Sequence, residues 1–157
     1  MQINPYGVRG RRLEALVEAC QFYAEILLGK RMARGLTIDI EVEKDLDVKG
    51  ECVNEDCTKR SRYFTIRLQN ENINDMVKTL AHEMVHVKQY VRNELGDKII
   101  TMKGDNVAVI ATMWKGEKWL PGPREHAYYD APWEVEAFGK EVGLARRFAD
   151  YWEKING

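Results

Sequence analysis

Residues 74–91, NDMVKTLAHEMVHVKQYV, carry apolar side chains at the three- and four-residue spacing of a helix with one buried face. The inward stripe comprises Val77, Leu80, Ala81, Met84, the stem of Lys88 and Val91. Asn74 is a suitable N-cap, with Asp75 in the first turn. Gly96, after Leu95, is typical of a helix end. We therefore expect one long amphipathic helix in the middle of the chain.

Strand periodicity precedes this helix. Apolar and polar residues alternate over 36–42, which predicts a strand with one buried face. A weaker second strand is expected from Val48 to Val53. A third is expected from Arg62 to Gln69, where one face carries Phe64, Ile66 and Leu68 and the other Tyr63, Thr65 and Arg67.

The ends of the chain are predicted to be helical. Apolar spacing from about Arg11 to Arg34 indicates a first helix that ends at Gly35. The span from Ile99 to Leu120 is β-like, with a turn at Lys115-Gly116. A last helix begins near Pro132 and runs to about Lys154. Helices and strands segregate along the chain, so we predict an α+β fold with a small mixed or antiparallel sheet packed on the three helices.

Composition limits the class of protein. The chain has 157 residues, of which 45% are hydrophobic and 31% charged, as expected for a single globular domain over 1–157. The net charge of −1 argues against strong nucleic-acid binding. No apolar run approaches the ~20 residues that span a bilayer, and the N-terminus, MQINPYGVRGRR, lacks the apolar core of a signal peptide. We therefore expect a cytoplasmic protein without membrane association.

The three cysteines, Cys20, Cys52 and Cys57, are an odd number, which suits a reducing compartment. Cys52 and Cys57 lie five residues apart, which is not the spacing of a zinc knuckle. The favoured interpretation is two small, partly buried side chains near a turn. A disulfide and a structural metal site between them are the weaker alternatives.

The middle helix carries chemistry in His82-Glu83-Met84-Val85-His86, an HExxH motif. Positions i and i+4 share one face of a helix, so His82 and His86 can bind a single Zn²⁺. Glu83 lies about 100° round the helix, within reach of a metal-activated water. The motif predicts one zinc per chain and Glu83 as general base. The alternative is a solvated helix face that carries these residues by chance.

A catalytic zinc needs a third protein ligand and one open position. The extended pattern HExxHxxGxxH is absent, because Gln89 and Arg92 occupy its later positions. The third ligand must therefore come from after this helix, and the candidates are His126, Glu134 and Glu136.

Two features of the last helix bear on that choice. Gly139 and Gly143 lie on one face and would allow close approach of another backbone, and Glu136 shares this face more nearly than Glu134. Either carboxylate would also suit the first turn of any helix, where it complements the helix dipole.

A helix with HExxH, followed tens of residues later by a Glu in an E-x-x-A setting, resembles the gluzincin group of zinc metallopeptidases. The resemblance covers roughly residues 36–150 in element order, and it implies a zincin-like fold. It matches His82 and His86 to the paired ligands, Glu83 to the general base and Glu134 to the third ligand.

The strings HEMVHVKQY and YYDAPWEVEA also resemble small HExxH proteins of phage and bacterial genomes, grouped as minimal or SprT-like zincins. SprT-like proteins proper use a third His, which would point to His126. In the thermolysin-type pattern an Asp follows four residues after the ligand Glu. That position is Phe138 here, so we expect its contact to a ligand histidine to be absent.

Metallohydrolases also need a donor for the developing oxyanion. Tyr128 is the preferred donor, and Tyr129, His126 and Arg124 share the loop before the last helix. Simple packing of the loop is the alternative role for the tyrosines. In zincins generally, a strand near the active-site helix binds extended peptide, and the predicted strand Arg62–Gln69 is the candidate here.

These features predict a zinc metallopeptidase that hydrolyses peptide bonds of a peptide or protein substrate through a zinc-activated water. One alternative is a zincin-fold binding or regulatory module with little turnover. A third hypothesis is a protease that acts on nucleic-acid-associated proteins, with a local basic patch of Lys59, Arg60 and Arg62.

Overall fold

The computed structural model describes residues 1–56, 58–101, 104, 107–119 and 128–157. The described residues form a mixed α+β fold with four helices and two small sheets, so the predicted class is confirmed. In chain order the elements are β1 (Gln2–Tyr6), α1 (Gly10–Leu28), α2 (Lys30–Ala33), β2 (Thr37–Glu43), β3 (Gly50–Asn54), β4 (Tyr63–Gln69), α3 (Ile73–Val91), β5 (Leu95–Thr101), β6 (Ala108–Trp114), β7 (Glu117–Lys118) and α4 (Pro132–Asn156).

The larger sheet has the strand order β1-β2-β4-β3. β1 and β4 both run parallel to β2, and β3 runs antiparallel to β4, so the sheet is mixed. β1 is missing from the sequence prediction, because its five residues, QINPY, include a proline and carry no clear alternation. Pairing with β2 makes this segment a strand, and Pro5 is tolerated at the edge of a sheet.

One face of this sheet packs against α1 and α3. The alternation predicted for β2 and β4 is confirmed, because Ile38, Ile40, Phe64, Ile66 and Leu68 are fully buried there. Tyr23 of α1 joins this core, and its hydroxyl donates a hydrogen bond to the carbonyl oxygen of Val77 in α3. The sheet and α1 therefore hold α3 along one side.

The helix ends differ from the prediction in three places. The first helix ends at Leu28, because Gly29 has a φ of 81° and interrupts it before the short α2. The N-cap of α3 is Asn72 instead of Asn74, and its side chain accepts a hydrogen bond from the backbone of Asp75. α3 ends at Val91, and Gly96 belongs to β5 and caps no helix.

The second sheet has the order β5-β6-β7 and is antiparallel. Lys115 and Gly116 both have positive φ, as a two-residue hairpin turn between β6 and β7 requires, and the predicted turn is confirmed. Trp119 and Trp114 pack on Trp133 at the start of α4, with ring centroids 4.8 and 6.1 Å apart. The hairpin is thereby attached to the beginning of the last helix.

Two further expectations concern membrane-spanning helices and the cysteines. Of the helices described, none combines the length and the apolar composition that crossing a bilayer requires. Cys20 is a buried free thiol and Cys52 a partly buried one, while Cys57 lies outside the described residues.

Candidate metal centre

Helices α3 and α4 pack against each other and run in opposite directions. Gln89, near the end of α3, contacts Trp133 at the start of α4, whereas Lys78 contacts Glu141 further along α4. This arrangement places the first turn of α4 beside the His82–His86 face of α3. Residues 52 positions apart in the chain thereby come into direct contact.

His82, His86 and Glu134 converge at this contact. His82 Nε2 lies 3.1 Å from Glu134 Oε2, and His86 Nε2 lies 3.3 Å from Glu134 Oε1. The three side chains are buried, and one ligand atom from each lies within 4.8 Å of the others. Ligand atoms of a tetrahedral zinc site are ~3.3 Å apart, as bond lengths of ~2.0–2.1 Å require. The three residues are therefore close enough to bind one metal ion.

Each histidine is oriented by a partner on its other ring nitrogen. His82 Nδ1 lies 2.9 Å from Glu141 Oε2, and His86 Nδ1 lies 2.9 Å from Gln89 Oε1. The fully buried Gln89 also donates from Nε2 to the carbonyl oxygen of Trp133, at 3.0 Å. Such partners fix the tautomer and the ring plane of a metal ligand, and here they leave both Nε2 atoms facing Glu134.

The acidic contact from position 138 is absent, as expected for Phe138, but His82 has an acidic partner elsewhere in Glu141. The contact comes from seven residues after Glu134, which is about two turns further along the same helix face. Phe138 packs its ring against His82 instead, with centroids 4.5 Å apart. The seven-residue spacing of Glu134 and Glu141 is the signal in the sequence that would have identified this residue.

The structure separates the candidates for the third ligand. Glu136 lies with Lys88, with 2.6 Å between its Oε1 and the lysine Nζ, and is not among the grouped ligand atoms. The predicted close backbone approach at Gly139 and Gly143 is not found, because a Cβ on either would meet no atom of the described residues within 4 Å. The other candidate, His126, lies outside the described residues.

The charges at this contact favour ionised groups. Burial disfavours ionisation of Glu134, but hydrogen bonds from His82 and His86 outweigh it and lower the pKa of Glu134 to about 2. Burial also opposes protonation of both histidines, yet their hydrogen bonds to Glu134 and the charge of Glu83 raise their pKa values. Glu134 is thus ionised and hydrogen-bonded to both imidazoles.

Glu83 lies on the side of α3 that faces β3. It is 5% exposed, and a Cβ built on Gly50 would lie 3.0 Å from its Oε1. Burial raises the pKa of Glu83 to about 7, against the opposing effect of His86 and His82. A carboxylate with a pKa near neutrality can both accept and return a proton, which is the property of a general base.

Tyr128 reaches the site from the segment before α4. Burial, together with the charge of Glu134 and the interaction of its hydroxyl with that carboxylate, raises the pKa of Tyr128. The side chain remains 58% exposed. Tyr129 packs edge-on against Tyr128, with ring centroids 5.3 Å apart, and also approaches Phe138. Arg124, another residue of this loop, lies outside the described residues.

The strand predicted to bind peptide occupies the wrong position in the sheet. β4 lies between β2 and β3, so both of its edges are already paired. Among the described residues β3 has β4 as its sole partner strand, which makes β3 the edge nearest to Glu83. The sequence did not reveal this, because strand order depends on long-range pairing.

Comparison of the chain with family models, curated proteins and solved structures finds no match. The functional argument therefore depends on the buried contact between His82, His86 and Glu134 and on the position of Glu83 beside it.

Proposed function

We propose that the protein is a zinc-dependent peptidase of zincin-like fold, with His82, His86 and Glu134 as zinc ligands and Glu83 as general base. The observation that carries the proposal is the buried convergence of these three donors with a carboxylate of raised pKa next to them. The resemblance of the two motifs to those of gluzincins agrees with this assignment. The same resemblance implies that the hydrolysed bond is an amide.

Two nitrogens and one carboxylate oxygen are a donor set that suits zinc and leaves a fourth position open. Zinc bound there would polarise a water and the carbonyl oxygen of the substrate. Glu83 would accept a proton from the attacking water and then return it to the leaving amine nitrogen.

Within the described part of the chain β3 has one unpaired edge, which supports binding of an extended peptide. The backbone of Gln69 donates to Lys49, and that of Glu55 donates to Tyr63, so alternate residues of β3 bond to β4. The backbone groups of Gly50 and Cys52 therefore point away from β4, towards the edge. A peptide that adds there as a further strand would pass beside Glu83.

Tyr128 is the proposed donor to the oxyanion. Its hydroxyl interacts with a ligand residue, Glu134, and its exposure leaves it accessible to a substrate. A donor aimed at the developing charge is worth about 10²–10³ in kcat when it is removed.

Metal analysis of the purified protein tests the site. We expect about one zinc per chain in the wild type and loss of zinc in His82→Ala and Glu134→Ala. Glu136→Ala is the matched control, because Glu136 lies on the same helix but contacts Lys88, and it should retain zinc. A folded wild type that binds no zinc, even after zinc is added, would refute the proposal.

Hydrolysis tests the base. Glu83→Gln should keep zinc and lower the rate of peptide hydrolysis by at least ~10². Unchanged activity in this variant would exclude Glu83 as the base. Zinc binding by a wild type that cleaves no peptide would instead favour the alternative of a binding or regulatory module.

A further inference from the structure

A row of alternating charge crosses the face of the larger sheet that is turned away from α3. Glu41 of β2 is directly paired with Arg67 of β4, which is directly paired with Glu51 of β3. The charged atoms are in contact, since Arg67 Nε lies 3.1 Å from Glu41 Oε2 and Nη1 lies 2.8 Å from Glu51 Oε1. Within the described sheet the row stops at Glu51, because β3 is the outer strand.

This row of side chains carries more negative than positive charge. Glu43 also approaches Arg67, with 3.6 Å between Oε1 and Nε, so one guanidinium serves three carboxylates. The side chain of Glu51 is 40% exposed and therefore keeps room for a second partner. A cation on the far side of Glu51 would continue the alternation across the sheet.

The backbone pattern of β3 places such a cation close to Glu51. The backbones of Lys49 and Glu55 hydrogen-bond to β4. Glu51 lies an even number of residues from both, so its backbone groups also point towards β4. Towards the free edge Glu51 is then a non-hydrogen-bonded position, at which directly opposite side chains of antiparallel strands approach most closely. Opposite charges at directly opposed positions stabilise strand pairing, and like charges destabilise it.

We propose that the β3 edge selects extended polypeptide segments that carry Lys or Arg at the position opposite Glu51. The proposal rests on the proposed peptidase function and names its class of substrate. Gly50 and Cys52, which flank Glu51, present their backbone groups to the same added strand. The residue with the basic side chain would therefore lie one position from the residue opposite Gly50, which borders Glu83.

A charge-scanned peptide series tests the proposal on the zinc-loaded protein. Peptides of one sequence carry Lys, Gln or Glu at successive positions on either side of the cleaved bond. At one position we expect Lys to raise kcat/KM about fivefold over Gln, and Glu to lower it. Glu51→Gln should remove this preference and Glu51→Lys should reverse it. Glu43→Gln is the matched control: it also takes a carboxylate from Arg67, but on β2, and should keep the preference.

A binding measurement on the same peptides separates this proposal from the peptidase proposal. Fluorescence anisotropy of labelled peptides with zinc-loaded Glu83→Gln reports binding without turnover. Cleavage that ignores peptide charge, in wild type and Glu51→Lys alike, would overturn the Glu51 proposal and leave the peptidase function intact. If no peptide is cleaved, the peptidase function fails. In that case, a preference for binding Lys peptides that Glu51→Gln abolishes would support selection by the β3 edge. Equal binding of Lys and Glu peptides would overturn it.

Discussion

The two sides of α3 differ in what they bury. The side that faces α1 and the sheet carries apolar residues such as Leu80 and Met84, and Cys20 of α1 contacts Met84 there. The side that faces α4 buries His82, His86 and Gln89, each hydrogen-bonded to a particular partner. Apolar burial stabilises a fold without regard to direction, whereas buried polar groups must be paired or they destabilise it. One side of α3 therefore contributes apolar burial to the core, and the other carries the candidate metal site.

The largest expected effect is on the apolar side. Leu80→Ala removes a fully buried side chain and should lower the free energy of unfolding by about 2–5 kcal/mol. Urea unfolding followed by circular dichroism measures the change. The folded fraction should still bind one zinc. A loss of metal at unchanged stability would mean that the two sides of the helix are not separate in role.

Metal should stabilise the protein through the other side alone. Zinc at 100 times its Kd adds about 2.7 kcal/mol to the stability of a protein that binds it only when folded. The thermal midpoint of the wild type should therefore rise with added zinc, and that of His86→Ala should not. An equal rise in both proteins would place the bound metal elsewhere.

Gln89 connects the site to the start of α4. Gln89→Leu leaves His86 Nδ1 and the carbonyl of Trp133 without this partner, and zinc affinity should fall about 10–100-fold. Competition with a chromophoric chelator measures the affinity. Glu141→Gln keeps an acceptor for His82 and should lose less. Wild-type affinity in Gln89→Leu would show that the amide has no role in orienting His86.

The smallest effect is expected at the ion pair beside the site. Glu136→Gln keeps an oxygen that can accept from Lys88 but removes its charge, so stability should fall by about 1 kcal/mol or less. Zinc content should not change. A large loss of zinc would instead identify Glu136 as a zinc ligand.

Elements with strong periodicity are predictable from the sequence. α3, α4, β2 and β4 follow from the spacing of their apolar residues, because each buries one face against a single core. β1 is not, since its strand character comes from pairing with β2. The end of α1 was also misplaced: Gly29 adopts a positive φ, while the sequence alone offers Gly35 as an equally good stop.

The candidate site likewise has residues that the sequence predicts and residues that only the packing identifies. His82, Glu83 and His86 are predictable because a helix places positions i and i+4 on one face and i+1 beside it. The sequence alone does not decide between Glu134 and Glu136 as the third ligand. They lie two positions apart in the same helical turn, and only the packing of α4 on α3 decides which one points at the histidines.

The amino-acid sequence by itself determines that two imidazoles and a carboxylate share a helix and that a second acidic helix follows. Helical geometry is local, so a few residues suffice to define it. The tertiary structure alone decides that Glu134 completes the group, that Gln89 and Glu141 orient it, and that β3 forms the edge beside Glu83. These relations join distant residues, and the packing of α4 and the order of the strands arise only when the whole core is buried together.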